Sequence, residues 1–94
     1  MRVVARIVAR PDHVGEVRSL LSELIEPTRL EPGCVLYELL QNKADPTDFI
    51  FVEEWKSDET LDAHAASVHI KSVTTRPAGL IAAPVDVRRY FLVC

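Results

Sequence analysis

The chain has 94 residues, 48% of them apolar and 27% charged, with a formal net charge of −3. Those values describe one globular domain spanning 1–94 and give no support to disorder. The arginines are dispersed without interleaved aromatics, no apolar run nears the ~20 residues of a membrane span, and no signal-peptide layout precedes the first apolar run, so neither nucleic acid nor a membrane is expected as a partner and the cytoplasm is the expected location.

Val3 to Ala9 is a β-branched run and reads as a first strand. Arg10-Pro11-Asp12 ends it, and Asp12 is placed to cap a helix. Val14, Val17, Leu20, Leu21, Leu24 and Thr28 then recur at helical spacing, with Glu16, Arg18, Ser19, Ser22, Glu23 and Glu26 on the other side. Pro27 should kink or end this helix, with a final turn over Thr28 to Leu30. Glu31-Pro32-Gly33 is a turn.

Cys34 to Gln41 reads as a second strand, apolar on both sides apart from Glu38. The polar segment Asn42 to Asp48 leads to a third strand, Phe49 to Trp55. Alternation puts Phe49, Phe51, Glu53 and Trp55 on one side, and Ile50, Val52 and Glu54 on the other. Ser57 or Asp58 caps a second helix carrying Leu61, His64 and Ala65 on its apolar side. Ser67 interrupts it and caps a further helical turn with Val68, Ile70 and Val73. Pro77-Ala78-Gly79 stops that segment, and Pro84 opens a last strand, Val85 to Val93.

The order is β-α-β-β-α-α-β, an α+β ferredoxin-like plan with one four-stranded antiparallel sheet and helices on one side. Strands with two apolar sides need two covers, and helices supply only one. A domain this small is also marginal alone, burying roughly 60–65% of its unfolded surface. A second copy packed sheet to sheet is the simplest cover, so a homodimer of closed symmetry is expected. Cys34 and Cys94 lack the spacing of a zinc or redox motif and read as unrelated reduced thiols.

Two histidines near a strand–helix crevice offer proton chemistry, because imidazole titrates near working pH. His64, three residues after Leu61, faces inward and is the candidate base or orienting donor; a packing histidine is the alternative. His69 is five residues on. On an unbroken helix the two would diverge by roughly 140°, and the break near Ser67 permits convergence. Neither has the i, i+4 spacing that suits joint metal binding, so no metal is expected. Trp55 offers an indole N–H beside Glu53. A buried Glu53 must be paired or neutral, with Arg6 and Arg89 as candidate partners. Tyr37 reads as a pocket phenol or a core residue, and His13 as exposed. No G-x-G-x-x-G, P-loop or G-x-S-x-G is present.

R-P-D-H-V, E-P-T-R-L-E-P-G-C, D-P-T-D-F-I-F-V-E-E-W-K-S and L-D-A-H-A-A-S-V-H-I resemble the antibiotic biosynthesis monooxygenase family over residues 2 to about 91. The most specific part is Trp55, Ser57, His64 and His69. The resemblance implies a dimeric α+β barrel with a pocket between sheet and helices in each subunit. It implies oxidation of a small electron-rich aromatic (a quinol, anthrone or polyketide-like compound) by dioxygen, with no metal or organic cofactor. It also implies His64 as the catalytic base or orienter, with His69 and Trp55 lining the pocket. Tyr37, Glu53 and Arg6 complete the candidate substrate-binding set. Ile70 stands where many relatives carry an aromatic. Arg6 stands where they carry an acidic or small polar residue, and would favour an anionic substrate if it faced the pocket. Thr74-Thr75-Arg76 departs from the haem-degrading branch. The alternatives are an isomerase of the same fold using both histidines as proton shuttles, and a non-catalytic dimeric ligand-binding module.

Overall fold

A computed structural model describes residues 1–76 and 78–94. Strands β1 (Arg2–Val8), β2 (Cys34–Gln41), β3 (Asp48–Trp55) and β4 (Asp86–Tyr90) form one sheet in the order β2-β3-β1-β4, every neighbouring pair antiparallel. Helices α1 (Val14–Ser22), α2 (Ile25–Arg29), α3 (Asp58–Ala65) and α4 (Val68–Thr74) fill the connections. This is the ferredoxin-like arrangement expected from the element order. Among the described residues no helix is long and apolar enough to cross a membrane.

Alternation decides which side chains meet the helices. Phe49, Phe51, Glu53 and Trp55 are all buried on β3, and Val3, Ala5 and Ile7 are buried on β1. The register sets Tyr37, Glu53, Val3 and Arg89 in one row across the sheet. Val17, Leu21, Leu24 and Leu61 close over this side. Each fully buried large side chain contributes roughly 1.5–3 kcal/mol, and Trp55, Tyr37 and Phe49 are the largest of them.

Four sequence expectations are corrected at element ends. Asp12 caps no helix: Pro11–His13 is a 3-10 turn, and α1 starts behind His13, whose Nδ1 lies 2.8 Å from Glu16 Oε1. A proline at the first position favours that tighter start. The first helix breaks before Pro27, not at it. Glu23 and Leu24 make i−3 bonds to Leu20 and Leu21, and α2 then carries Pro27 in its own first turn. The ring of Pro27 cannot share a helix with the carbonyl four residues back, so the distortion falls on Glu23. The last strand ends at Tyr90, short of Val93. At the N-terminal strand, Ala9 forms only an isolated bridge to Ile81. The stop expected at Pro77-Ala78-Gly79 includes Pro77, which lies outside the described residues; a 3-10 turn covers Ala78–Leu80.

The far side of the sheet carries no helix. Val4, Val8, Ile50 and Val52 are half-buried there, and Leu36 and Leu40 are exposed. Ion pairs Arg2–Glu54, Arg6–Asp48 and Arg88–Asp86 lie along the same strands.

One turn fixes the relation of β2 to α3. Gly33 has φ +84°, and a Cβ built there would lie 2.5 Å from Thr60 Cγ2. Its carbonyl accepts the Lys56 N–H at 2.9 Å. Gly33→Ala therefore combines left-handed strain with a clash against the Thr60 side chain, and should lower unfolding free energy by roughly 1–3 kcal/mol. Urea unfolding measures this. A loss under about 0.5 kcal/mol would contradict the packing described.

Candidate functional site

The site is assembled by the caps of two short helices. Ser57 and Thr60 form a capping box at the start of α3, with Ser57 Oγ accepting the Thr60 N–H at 3.2 Å. That cap fixes the helix whose last turn carries His64, buried at 6% exposure beside Leu61. The carbonyl of His64 accepts both the Ser67 N–H, at 3.0 Å, and the Ser67 hydroxyl, at 2.7 Å. Ser67 also caps α4, accepting the Ile70 N–H at 3.4 Å. The chain thus turns at Ser67 and starts a new helix. Continuous helix would carry His69 away from His64; the turn brings their ring centroids to 6.0 Å.

Between them stands a residue that sequence reading missed. Glu31 Oε2 lies 2.6 Å from His64 Nδ1 and 2.9 Å from His69 Nε2. The three side chains are 14%, 7% and 22% exposed, in the order Glu31, His64, His69. Glu31 stands two residues before Gly33, so the positive-φ turn that packs on Thr60 also delivers the carboxylate. A carboxylate at Nδ1 selects the Nδ1–H form of a neutral imidazole and leaves the Nε2 lone pair free. Among the described residues, Nε2 of His64 has no hydrogen-bond partner and Glu31 pairs with no lysine or arginine. Glu31, His64 and His69 also place three potential metal-ligand atoms within 4.8 Å of one another.

His64 borders a cavity of about 730 Å³ between the sheet and the helices. Its walls are mostly aliphatic, from β1, α1 and α4, and its polar side chains include Tyr37, Glu53, His64 and Arg89. Tyr37 stacks on Phe51 at 4.8 Å and meets the His64 ring edge-on at 5.5 Å. Burial, reinforced by nearby Glu53, pushes the Tyr37 phenol far above its ordinary range, so it stays an O–H donor. Glu53 is 3% exposed, and its Oε1 accepts the Trp55 Nε1–H at 2.8 Å. Burial raises the Glu53 carboxyl above its usual value, while the Trp55 N–H and His64 act in the opposite direction. A carboxyl raised in this way favours its neutral form.

Of the remaining sequence candidates, Trp55, His69 and Arg6 fall outside the cavity, while Arg89 lines it without pairing with Glu53. Trp55 is 1% exposed and backs His64 at 4.8 Å between centroids; it holds Glu53 and forms no wall. His69 touches Glu31 from the solvent side and reaches the cavity only through that relay. Arg6 points to the helix-free side and pairs with Asp48 at 2.8 Å. It follows Ala5 by one position, and adjacent strand residues face opposite ways. Arg6 is therefore neither a pocket residue nor the partner of Glu53, and the argument for an anionic substrate falls with it. Arg89 shares the row of Glu53, but Val3 separates them; it binds Asp58 and Asp62 at 2.9 and 2.7 Å.

The raised Glu53 pKa gives a signed prediction. The native state holds the Glu53 proton more tightly than the unfolded chain does. Its contribution is fully present below the unfolded value of about 4.3 and is lost as pH rises through the raised native value. Glu53→Gln keeps an acceptor for Trp55 without the buried charge. It should melt higher than the parent at pH 8, and the gap should close as pH falls toward 4. Thermal unfolding across pH measures this, and a gap that ignores pH would contradict it.

Sequence and structure comparisons identify the family and agree on the fold. The family model described as antibiotic biosynthesis monooxygenase matches residues 1–76. Rv0793 of Mycobacterium tuberculosis, provisionally named a monooxygenase, is 36% identical over 85 residues, covering 90% of this chain and 83% of the relative. Its solved structure superposes with a TM-score of 0.86, over 93% of this chain and 88% of that one. A solved antibiotic biosynthesis monooxygenase is 31% identical, with a TM-score of 0.91 over 99% and 98% of the two chains. The uncharacterised protein sll1783 of Synechocystis is 30% identical over 88 residues; the match covers 94% of this chain but 60% of that longer relative. The chain belongs to the antibiotic biosynthesis monooxygenase family.

Proposed function

We propose that this protein is a cofactor-independent monooxygenase acting on a small electron-rich aromatic of the quinol or anthrone type, with dioxygen as co-substrate. The observation that carries this reading is the Glu31–His64 pair at 2.6 Å beside a largely apolar cavity of about 730 Å³. A cavity of this size suits a small fused-ring compound.

In this reading His64 Nε2 accepts a proton from the substrate, and Glu31 stabilises the imidazolium that forms. The resulting anion is electron-rich and passes one electron to dioxygen. The substrate radical and superoxide combine, and loss of water leaves the carbonyl. Across the reaction a CH₂ becomes C=O for an anthrone, or a ring C–H is hydroxylated and the quinol oxidised to a hydroxyquinone. One oxygen atom enters the product, the other leaves as water, and the substrate supplies all the electrons. Apolar walls keep the anion from water and strengthen each local charge interaction. Tyr37 is the O–H donor available to the developing oxyanion, joined by Glu53 when that carboxyl carries its proton. The helix-free side of the sheet supports a homodimer, with Leu36, Leu40, Ile50 and Val52 packed against a copy of themselves.

The test is oxygen uptake by chelator-treated protein with quinols and anthrones. His64→Ala should lose about 10²-fold or more in turnover, and Glu31→Gln should lose less while shifting the pH–rate profile. Uptake equal in parent and His64→Ala would sink the assignment of the base. No uptake with any substrate, alongside tight binding of the same compounds, would support a binding module instead. Light scattering should give twice the chain mass, and Leu40→Lys should shift it toward one chain. A monomeric parent would contradict the dimer.

A further inference from the structure

We propose that Glu31, His64 and His69 form a binding site for a first-row divalent cation, zinc foremost, and that its occupancy switches His64 off as a base. Two imidazoles and a carboxylate are a recurrent zinc donor set, with further positions left to water. Here the donors are Glu31 Oε2, His64 Nδ1 and His69 Nε2, all within 4.8 Å. A tetrahedral ion with bonds of 2.0–2.1 Å needs its ligand atoms about 3.3 Å apart. The two Glu31 contacts, at 2.6 and 2.9 Å, would open slightly. The two histidine nitrogens would close onto the space between them.

The frame for this already exists without an ion. Glu31 is carried by the Gly33 turn, held by the Lys56–Gly33 hydrogen bond of 2.9 Å. His64 stands on a helix with a capping box, and His69 follows the Ser67 cap. Side-chain torsions alone need to change. Access is from solvent, since His69 and Glu31 are partly exposed while His64 is buried. Glu31 makes no ion pair with arginine or lysine among the described residues, so its charge is available to a cation. The i, i+5 spacing of the histidines argued against a metal in the sequence; the third donor comes from a turn more than thirty positions earlier.

The ion would lie on the Nδ1 side of His64, away from the cavity. Metal at Nδ1 displaces the proton held there, and a neutral imidazole must then carry its proton on Nε2. The lone pair that faces substrate disappears. This consequence rests on the oxygenase reading; the binding itself does not.

Calorimetric titration of the chelator-stripped protein with zinc chloride tests the site. One saturable equivalent per chain is expected. His69→Ala and Glu31→Gln should each weaken binding at least tenfold, since even outer-shell changes cost roughly 10–100-fold. His69→Ala, altering a partly exposed residue, keeps the test open should Glu31→Gln misfold. His13→Ala, at the separate surface pair with Glu16, should bind zinc as the parent does. No saturable binding by the parent, unchanged affinity in both site variants, or loss of binding in His13→Ala would overturn the site. Oxygen uptake then tests the switch: zinc should stop it and a chelator restore it. Uptake that continues with zinc bound overturns the switch alone. Absence of uptake without zinc overturns the oxygenase reading, and with it the switch, while the calorimetry still decides the site.

Discussion

The carboxylate of Glu31 between His64 and His69 is the contact on which the functional reading depends. It is the only polar partner of the buried imidazole among the described residues, and it selects which ring nitrogen carries the proton. Everything around it serves placement. Gly33 delivers the carboxylate, the Ser57 box aims α3, and Ser67 ends α3 and starts α4 so that both rings meet one oxygen. A hydrogen bond to a carboxylate half shielded from water is stronger than one on the surface, but it also requires its partners to be in place. That requirement matches a three-residue turn locked by both a positive φ and close packing on the Thr60 side chain.

A second polar pair lies deeper. Glu53 and Trp55 sit on the same side of β3, two residues apart, and bond to each other within a side otherwise given to Phe49 and Phe51. The indole N–H satisfies one carboxyl oxygen and leaves the other for a proton. Glu31 and Glu53 are thus two carboxyl groups near one histidine in unlike settings. Glu31 faces two imidazoles at the edge of solvent. Glu53 is enclosed by aromatic rings and pushed toward its neutral form. Burial, not residue type, is what raises the Glu53 carboxyl.

Local chemistry made much of the fold legible. Strand alternation identified the buried side of β3, Ser57 and Ser67 announced both later helices, and the element order fixed the sheet topology. The two misplaced helix ends share one cause: Pro11 and Pro27 constrain neighbours as well as themselves, so 3-10 turns replaced the expected cap and the expected stop. For the site, His64, Tyr37 and Glu53 follow from periodicity, because each lies on the inward side of its own element. Arg6 failed on the same rule, since its neighbours Ala5 and Ile7 are buried and it cannot be. Glu31 was not legible. Its contact with His64 spans 33 positions, and no spacing rule joins a turn to a helix that far away. The Pro-Gly turn after it was the available sign that the backbone there is held in one conformation.

The most direct test of the central claim is the tautomer of His64, read from its ring ¹⁵N shifts and ¹H–¹⁵N couplings with the ring in its neutral form. The account predicts a proton on Nδ1 and a bare Nε2, with that preference lost in Glu31→Ala, which removes the acceptor. A proton on Nε2 in the parent protein would contradict it, because the nitrogen facing the cavity would then have no lone pair to act as a base.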